Sequence, residues 1–113
     1  MSTRCNVIVK EGKSKVYLYH HHDGYPEGVG MTLKNYLQHS KFWYLSIIAT
    51  DLVKFADDEY RISKGVHEDI EFLYVIDCRK KTLKCYERKD WNVVGKDLLR
   101  DDFEVEIKPF ENR

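Results

Sequence analysis

A chain of 113 residues with 42% hydrophobic and 34% charged side chains has the balance of a single globular domain spanning residues 1–113, and neither a disordered chain nor two independent cores is expected. Nineteen basic residues cancel nineteen acidic ones, which argues against a general nucleic-acid binder, whose affinity grows with a basic surplus, and equally against an acidic DNA mimic. No leader-like apolar run opens the chain and no stretch approaches the roughly 20 apolar residues that span a bilayer, so a cytoplasmic protein without membrane association is expected.

Residues 5–10, Cys-Asn-Val-Ile-Val-Lys, are rich in β-branched side chains and stop at the turn composition Glu11-Gly12-Lys13-Ser14. Residues 15–21 resume with Val16 and Leu18 on one face and Tyr17 and Tyr19 on the other, so the chain opens on an antiparallel hairpin. After a glycine-rich loop, Leu33, Tyr36 and Leu37 fall at helical spacing over 31–39, with Thr32 as a candidate N-cap. A second helix is expected from a Ser40 cap through Ala56, where Leu45, Ile48, Ala49 and Leu52 repeat at the same period. Asp57-Asp58-Glu59 and Ser63-Lys64-Gly65 read as a surface connection.

Ile70, Phe72, Tyr74 and Ile76 then alternate along a strand that is apolar on both faces between Phe72 and Ile76, the mark of a central position. Arg79-Lys80-Lys81 turns the chain into a partner strand over 82–88, and Phe103, Val105 and Ile107 alternate with charges in a last strand that Pro109 ends. The predicted fold class is therefore α+β, an antiparallel sheet of about five strands in the order β-β-α-α-β-β-β with the helices packed on one face. Cys5, Cys78 and Cys85 form no C-x-x-C pair and read as reduced, structural residues.

The residues that invite a chemical reading lie in His20-His21-His22-Asp23-Gly24-Tyr25-Pro26-Glu27-Gly28-Val29-Gly30. As loop chemistry, Asp23 offers an Asx-turn, Gly24 a positive φ, and Pro26 a fixed φ after an extended Tyr25. As a metal site it is incomplete: alternation puts His20 and His22 on one face and His21 and Asp23 on the other, short of the three or four ligands that zinc requires. As an anion site, Gly28 and Gly30 bring unpaired amides to a helix start, with Arg4 and His21 as added donors; the G-x-G lacks the rest of a dinucleotide or phosphate-loop motif. The expected role of Arg4 is either to pin the loop by pairing with Asp23 or to hold an anion above Gly28 and Gly30. Phe42-Trp43-Tyr44 sets three rings on three helical azimuths, leaving at least one as a possible partner anchor. No nucleophile elbow or activated cysteine is present.

The start Ser2-Thr3-Arg4-Cys5-Asn6 and the segment from Tyr19 to Gly30 resemble a family of small bacteriophage and mobile-element proteins. That family pairs an S-T-R-x-N start with a strand ending in H-x-D-G-Y-P, a helix two or three residues later, and a closing hairpin like 72–77 with 83–86. The resemblance covers the first third closely and the hairpin loosely; His22 stands where the family often carries tryptophan, and Phe42-Trp43-Tyr44 replaces a more charged segment. It implies a genomic setting rather than a mechanism, and marks Arg4, Asn6, His21, Asp23, Gly24, Tyr25 and Pro26.

The expected function is thus a non-enzymatic binding module, an accessory protein acting on a host protein or ligand, with no cofactor, metal or catalytic residue. Its candidate ligand-binding residues are Arg4, Asn6, His21, Asp23, Gly24, Tyr25, Gly28 and Gly30, and its candidate partner-binding residues are Phe42, Trp43 and Tyr44. The alternative is a small anionic-ligand or nucleotide-processing domain built on His21, Asp23 and the glycine loop with Arg4. The oligomeric state stays open.

Overall fold

β1 (Cys5–Glu11) and β2 (Ser14–His20) form the opening hairpin, Cys5 opposite His20 and Glu11 opposite Ser14. Gly12 makes the two-residue turn possible with a φ of 61°, a conformation that side-chain-bearing residues resist. The computed structural model describes residues 3–55, 60–67, 69–89, 92–97 and 108–109. The strand expected over 103–107, and Ala56 at the expected end of the second helix, lie outside them.

Beyond β2 the chain makes a π-type turn over Pro26–Gly30 that runs into α1 (Met31–Gln38), and α2 follows as Leu45–Phe55. Thr32 is not the cap of α1; it sits inside the first turn and its hydroxyl donates to the Gly28 carbonyl. The second helix starts at Leu45 rather than at Ser40, whose hydroxyl instead donates to the Phe42 carbonyl. The Glu11 carboxylate, reaching over from the end of β1, accepts the Leu45 amide at 2.9 Å. A distant acid thus does the capping, placed where the helix dipole favours negative charge.

β3 (Arg61–Ser63), β4 (Phe72–Asp77), β5 (Thr82–Lys89), β6 (Asn92–Asp97) and β7 (Lys108–Pro109) complete an α+β fold. The sheet order is β3-β2-β1-β4-β5-β6-β7, five longer strands with two short ones at the edges. The sheet is mixed, which corrects the antiparallel expectation: β1 pairs parallel with β4, Cys5 beside Phe72 and Lys10 beside Asp77. The reason is where the chain re-enters. Residues 64–67 and 69–71 bring it back to the Cys5 end of β1, where the Glu71 and Phe72 amides both donate to the Arg4 carbonyl. A strand entering beside the start of β1 has to run parallel to it.

Register and alternation then define one core face. Val7 lies between Leu18 and Tyr74, Val9 between Val16 and Ile76, and Cys85 and Leu83 continue the rows on β5. Against this face α1 buries Leu33 and Leu37 and α2 buries Ile48 and Leu52, and the Tyr36 hydroxyl ties the helices together by donating to Asp51. β4 is buried on both sides, with Tyr74 and Ile76 on the core face and Val75 and Asp77 on the other, as its two-sided apolar pattern requires. Among the described residues no helix is long and apolar enough to cross a membrane.

Ile76 is fully buried in the central row. Ile76→Ala should cost about 2–5 kcal/mol, read as a lower denaturation midpoint; a loss below about 1 kcal/mol would place the residue outside the core. Cys5, Tyr74 and Cys85 make a second, titratable test. Burial pushes the Cys5 thiol and the Tyr74 phenol far up and Cys85 up to about 12. An unfolded chain loses these protons at ordinary thiol and phenol pKa values while the native state keeps them. Stability should therefore fall above about pH 9, by ~1.4 kcal/mol per pH unit per group, and Cys85→Ala should make the fall shallower. Equal stability at pH 8 and pH 10.5 would show that these groups ionise freely in the native state.

Candidate functional site

The loop after β2 is shaped by close approach. Its positive φ falls on Asp23, at 55°, and not on Gly24. Gly24 is small for a different reason: a Cβ there would come within 2.9 Å of the Cys5 Cβ and 3.0 Å of the Thr3 carbonyl oxygen. The Gly24 amide donates to that Thr3 oxygen at 3.0 Å, and the Tyr74 hydroxyl rises out of the core to donate to the Gly24 carbonyl at 2.7 Å. A side chain at Gly28 would collide with the Asp23 carbonyl oxygen. These contacts, made by backbone and by Tyr74, pin the loop.

The loop amides point inward. Gly28 N donates to the Tyr25 carbonyl at 2.9 Å, Val29 N to the Asp23 carbonyl at 2.8 Å, and Gly30 N to Tyr25 at 3.4 Å. The donors that an anion would need at Gly28 and Gly30 are thus engaged within the turn. The Tyr25 hydroxyl donates to the Asp23 carboxylate at 3.1 Å, and that hydrogen bond raises the phenol's pKa. His21 stands exposed at the loop start, its ring edge-on to His22 with centroids 4.7 Å apart. His22 lies 5.2 Å from His20, and His20 is buried against Tyr60. Among the described residues no group of three or more histidine, cysteine, aspartate or glutamate side chains is placed to hold a metal ion.

Arg4 and Asn6 do not face this loop. Alternation along β1 turns them to the side of the sheet away from Cys5, against which Gly24 packs. There Arg4 Nε lies 3.3 Å from Asp69 Oδ2, the Tyr19 hydroxyl donates to the same Asp69 oxygen, and the His67 ring stacks on Tyr19 at 4.0 Å. Beneath them Asn6, with no exposure at all, donates to the Leu18 carbonyl at 2.8 Å and to Ser63 Oγ at 3.4 Å, and accepts the His67 amide at 2.7 Å. Of the eight candidate ligand-binding residues, the fold therefore gathers six in the loop and sends Arg4 and Asn6 to the opposite face. The expected Arg4–Asp23 pair is replaced by Arg4–Asp69, because β1 runs fully extended through Asn6 and its side chains keep strict alternation.

The three rings before α2 separate. Trp43 turns inward and packs against the core, whereas Phe42 and Tyr44 stay 57% and 54% exposed, nearly parallel with centroids 6.4 Å apart. They belong to the segment leading into the helix, where Ile48 N donates to the Tyr44 carbonyl, and Ile47 adds further exposed apolar surface one turn on.

On another azimuth of α2, Ser46, Ala49, Thr50 and Val53 look across at Val16 of β2 and Ile62 of β3 over an apolar groove of about 460 Å³. Ile62 is 71% exposed. The sequence carries no usable signal for this groove: an isoleucine flanked by Arg61 and Ser63 reads as a connection, and a three-residue strand is too short to show a period.

Compared with known proteins, the chain matches no family model, no curated protein and no solved structure.

Arg4 and Asn6 should behave oppositely when replaced. Arg4→Ala removes one half-exposed ion pair and should cost under about 1 kcal/mol. Asn6→Leu strands the Leu18 carbonyl and the His67 amide and should cost about 2–4 kcal/mol. Asn6→Asp keeps the acceptor but buries a carboxylate beside a carbonyl, which raises its folded pKa; that variant should regain stability as pH falls towards 4. Equal losses for Arg4→Ala and Asn6→Leu in urea titrations would contradict this assignment.

Proposed function

We propose that this chain is a non-enzymatic binding module, an accessory protein of the phage or mobile-element kind, that docks on a host protein through Phe42 and Tyr44. The observation that carries the reading is the arrangement of three consecutive aromatic residues with the middle one half-buried against the core. Trp43 packs against the core and the Ser40 hydroxyl bonds the Phe42 carbonyl, so the two outer rings stand on a fixed base. Rings held in place before binding have less freedom to lose on association, and aromatic anchors supply a large share of interface energy. Ile47 widens the patch along the first turn of α2. The loop supports an anion-processing reading less well, since its glycine amides are bonded internally and Arg4 faces away from it.

The test places a photo-crosslinking side chain at position 42 and, as a control, at Lys84, which is exposed on β5. In host lysate the first should yield one discrete adduct, identified by mass spectrometry and competed by unlabelled protein, and the second none. A Phe42→Ala/Tyr44→Ala variant should keep its melting temperature within a few degrees, because exposed positions contribute little to stability, and should no longer compete. Full competition by that variant would show that the rings are not the contact.

A further inference from the structure

We infer that the open side of β3 accepts an extended strand from a second protein, one that carries bulky apolar side chains at alternate positions and acidic residues between them. This surface is distinct from the Phe42–Tyr44 patch and stands or falls separately from it. The first support is the sheet order: β3 pairs with β2 and forms the end of the sheet, and among the described residues no strand pairs with its other side. An edge strand presents backbone N–H and C=O groups that a further strand satisfies. Here the central residue of the edge is Ile62, 71% exposed.

The second support is what lies beside that edge. Register places Ile62 opposite Leu18, on the core face of the sheet, so a strand added to β3 projects every other side chain towards α2. The stripe it meets there is Ser46, Ala49, Thr50 and Val53, residues short enough to leave an apolar groove of about 460 Å³. Among the described residues the polar groups lining the groove are Ser46, Thr50 and Lys54, all along α2, rather than the converging polar set that orients a small molecule. Apolar side chains presented at the spacing of a strand fit it.

Charge selects the residues between them. Arg61 is exposed and projects from the opposite face of the same strand, and the exposed Lys64 follows β3. The intervening side chains of an added strand come alongside Arg61, and opposite charges on neighbouring strands attract.

The experiment selects random dodecapeptides displayed on phage against the full chain, with counter-selection on the Ile62→Asp variant. Ile62 is already largely solvated, so that variant should fold like the parent, as circular dichroism and melting will verify; Thr50→Arg, which fills the groove from the helix side, serves as a second blocking variant. Enriched peptides should carry apolar residues at i, i+2 and i+4 with acidic residues between. They should bind the parent at least tenfold more tightly than either variant, and lose at least tenfold when alternate backbone amides are N-methylated. Binding to Phe42→Ala/Tyr44→Ala should be unchanged. The inference is overturned by an absence of enrichment, by apolar residues at helical spacing, by indifference to N-methylation or to Ile62→Asp, or by loss of binding in the ring variant.

Discussion

Asn6 sits in the middle strand pair of the sheet with none of its surface in contact with solvent, and a buried carboxamide without partners costs several kcal/mol. Its partners come from three places: the Leu18 carbonyl on β2, the Ser63 hydroxyl at the end of β3, and the His67 amide in the segment beyond. Satisfying that one side chain therefore fixes the path by which the chain leaves β3 and crosses the outer face of the hairpin. The crossing ends where Glu71 and Phe72 bond the Arg4 carbonyl, and this sets β4 beside β1 and parallel to it. The core rows of Val7–Tyr74 and Val9–Ile76 follow from that placement.

The same constraint explains the polar cluster above it. Arg4, Tyr19, His67 and Asp69 bring together side chains of the kinds that serve acid–base chemistry, yet each has a structural task over the crossing: an ion pair, a hydroxyl bond and a ring stack. What resembles a site is the fastening of residues 64–67 and 69–71 to the hairpin. The Asp23 loop is fastened just as firmly from the core side, by Tyr74 and Thr3. The apolar surfaces around α2 differ in that nothing among the described residues covers them. One helix thus supplies three azimuths, with Ile48 and Leu52 for the core, Ala49 and Val53 for the groove, and Ile47 beside the exposed rings.

Much of this was legible in residues whose environment is local or periodic. The hairpin with its Gly12 turn, α1, the period of α2 and the β4–β5 pair all follow from alternation, helical spacing and turn composition. The parallel pairing was not, because strands joined by a long crossover leave no turn signature between them. The start of α2 was misplaced because its cap, Glu11, lies far away in sequence. Gly24 was legible as a necessary glycine and misread in its reason, since a requirement for close approach to Cys5 looks the same in sequence as a requirement for positive φ. β3, with three residues, is too short for a period to emerge, and Gly95 interrupts the alternation of β6. The groove escaped for the same reason: it belongs to two elements that only the fold brings together.

The parallel seam also bears on how the protein is made. During synthesis β1 and β2 can close as soon as both have left the ribosome, whereas β4 emerges only after the helices and β3 have been added. At about 5–20 residues per second the hairpin spends on the order of seconds with the inner edge of β1 uncovered. That edge carries Val7, Ile8 and Val9 in a row, an apolar strand of the kind that pairs readily with other nascent chains. Non-local pairing of this sort is also slow to form. The centre of the finished sheet is therefore its most vulnerable edge during birth, and the Asn6 carboxamide, facing the side where the crossing will later lie, keeps one position of that edge polar until β4 arrives.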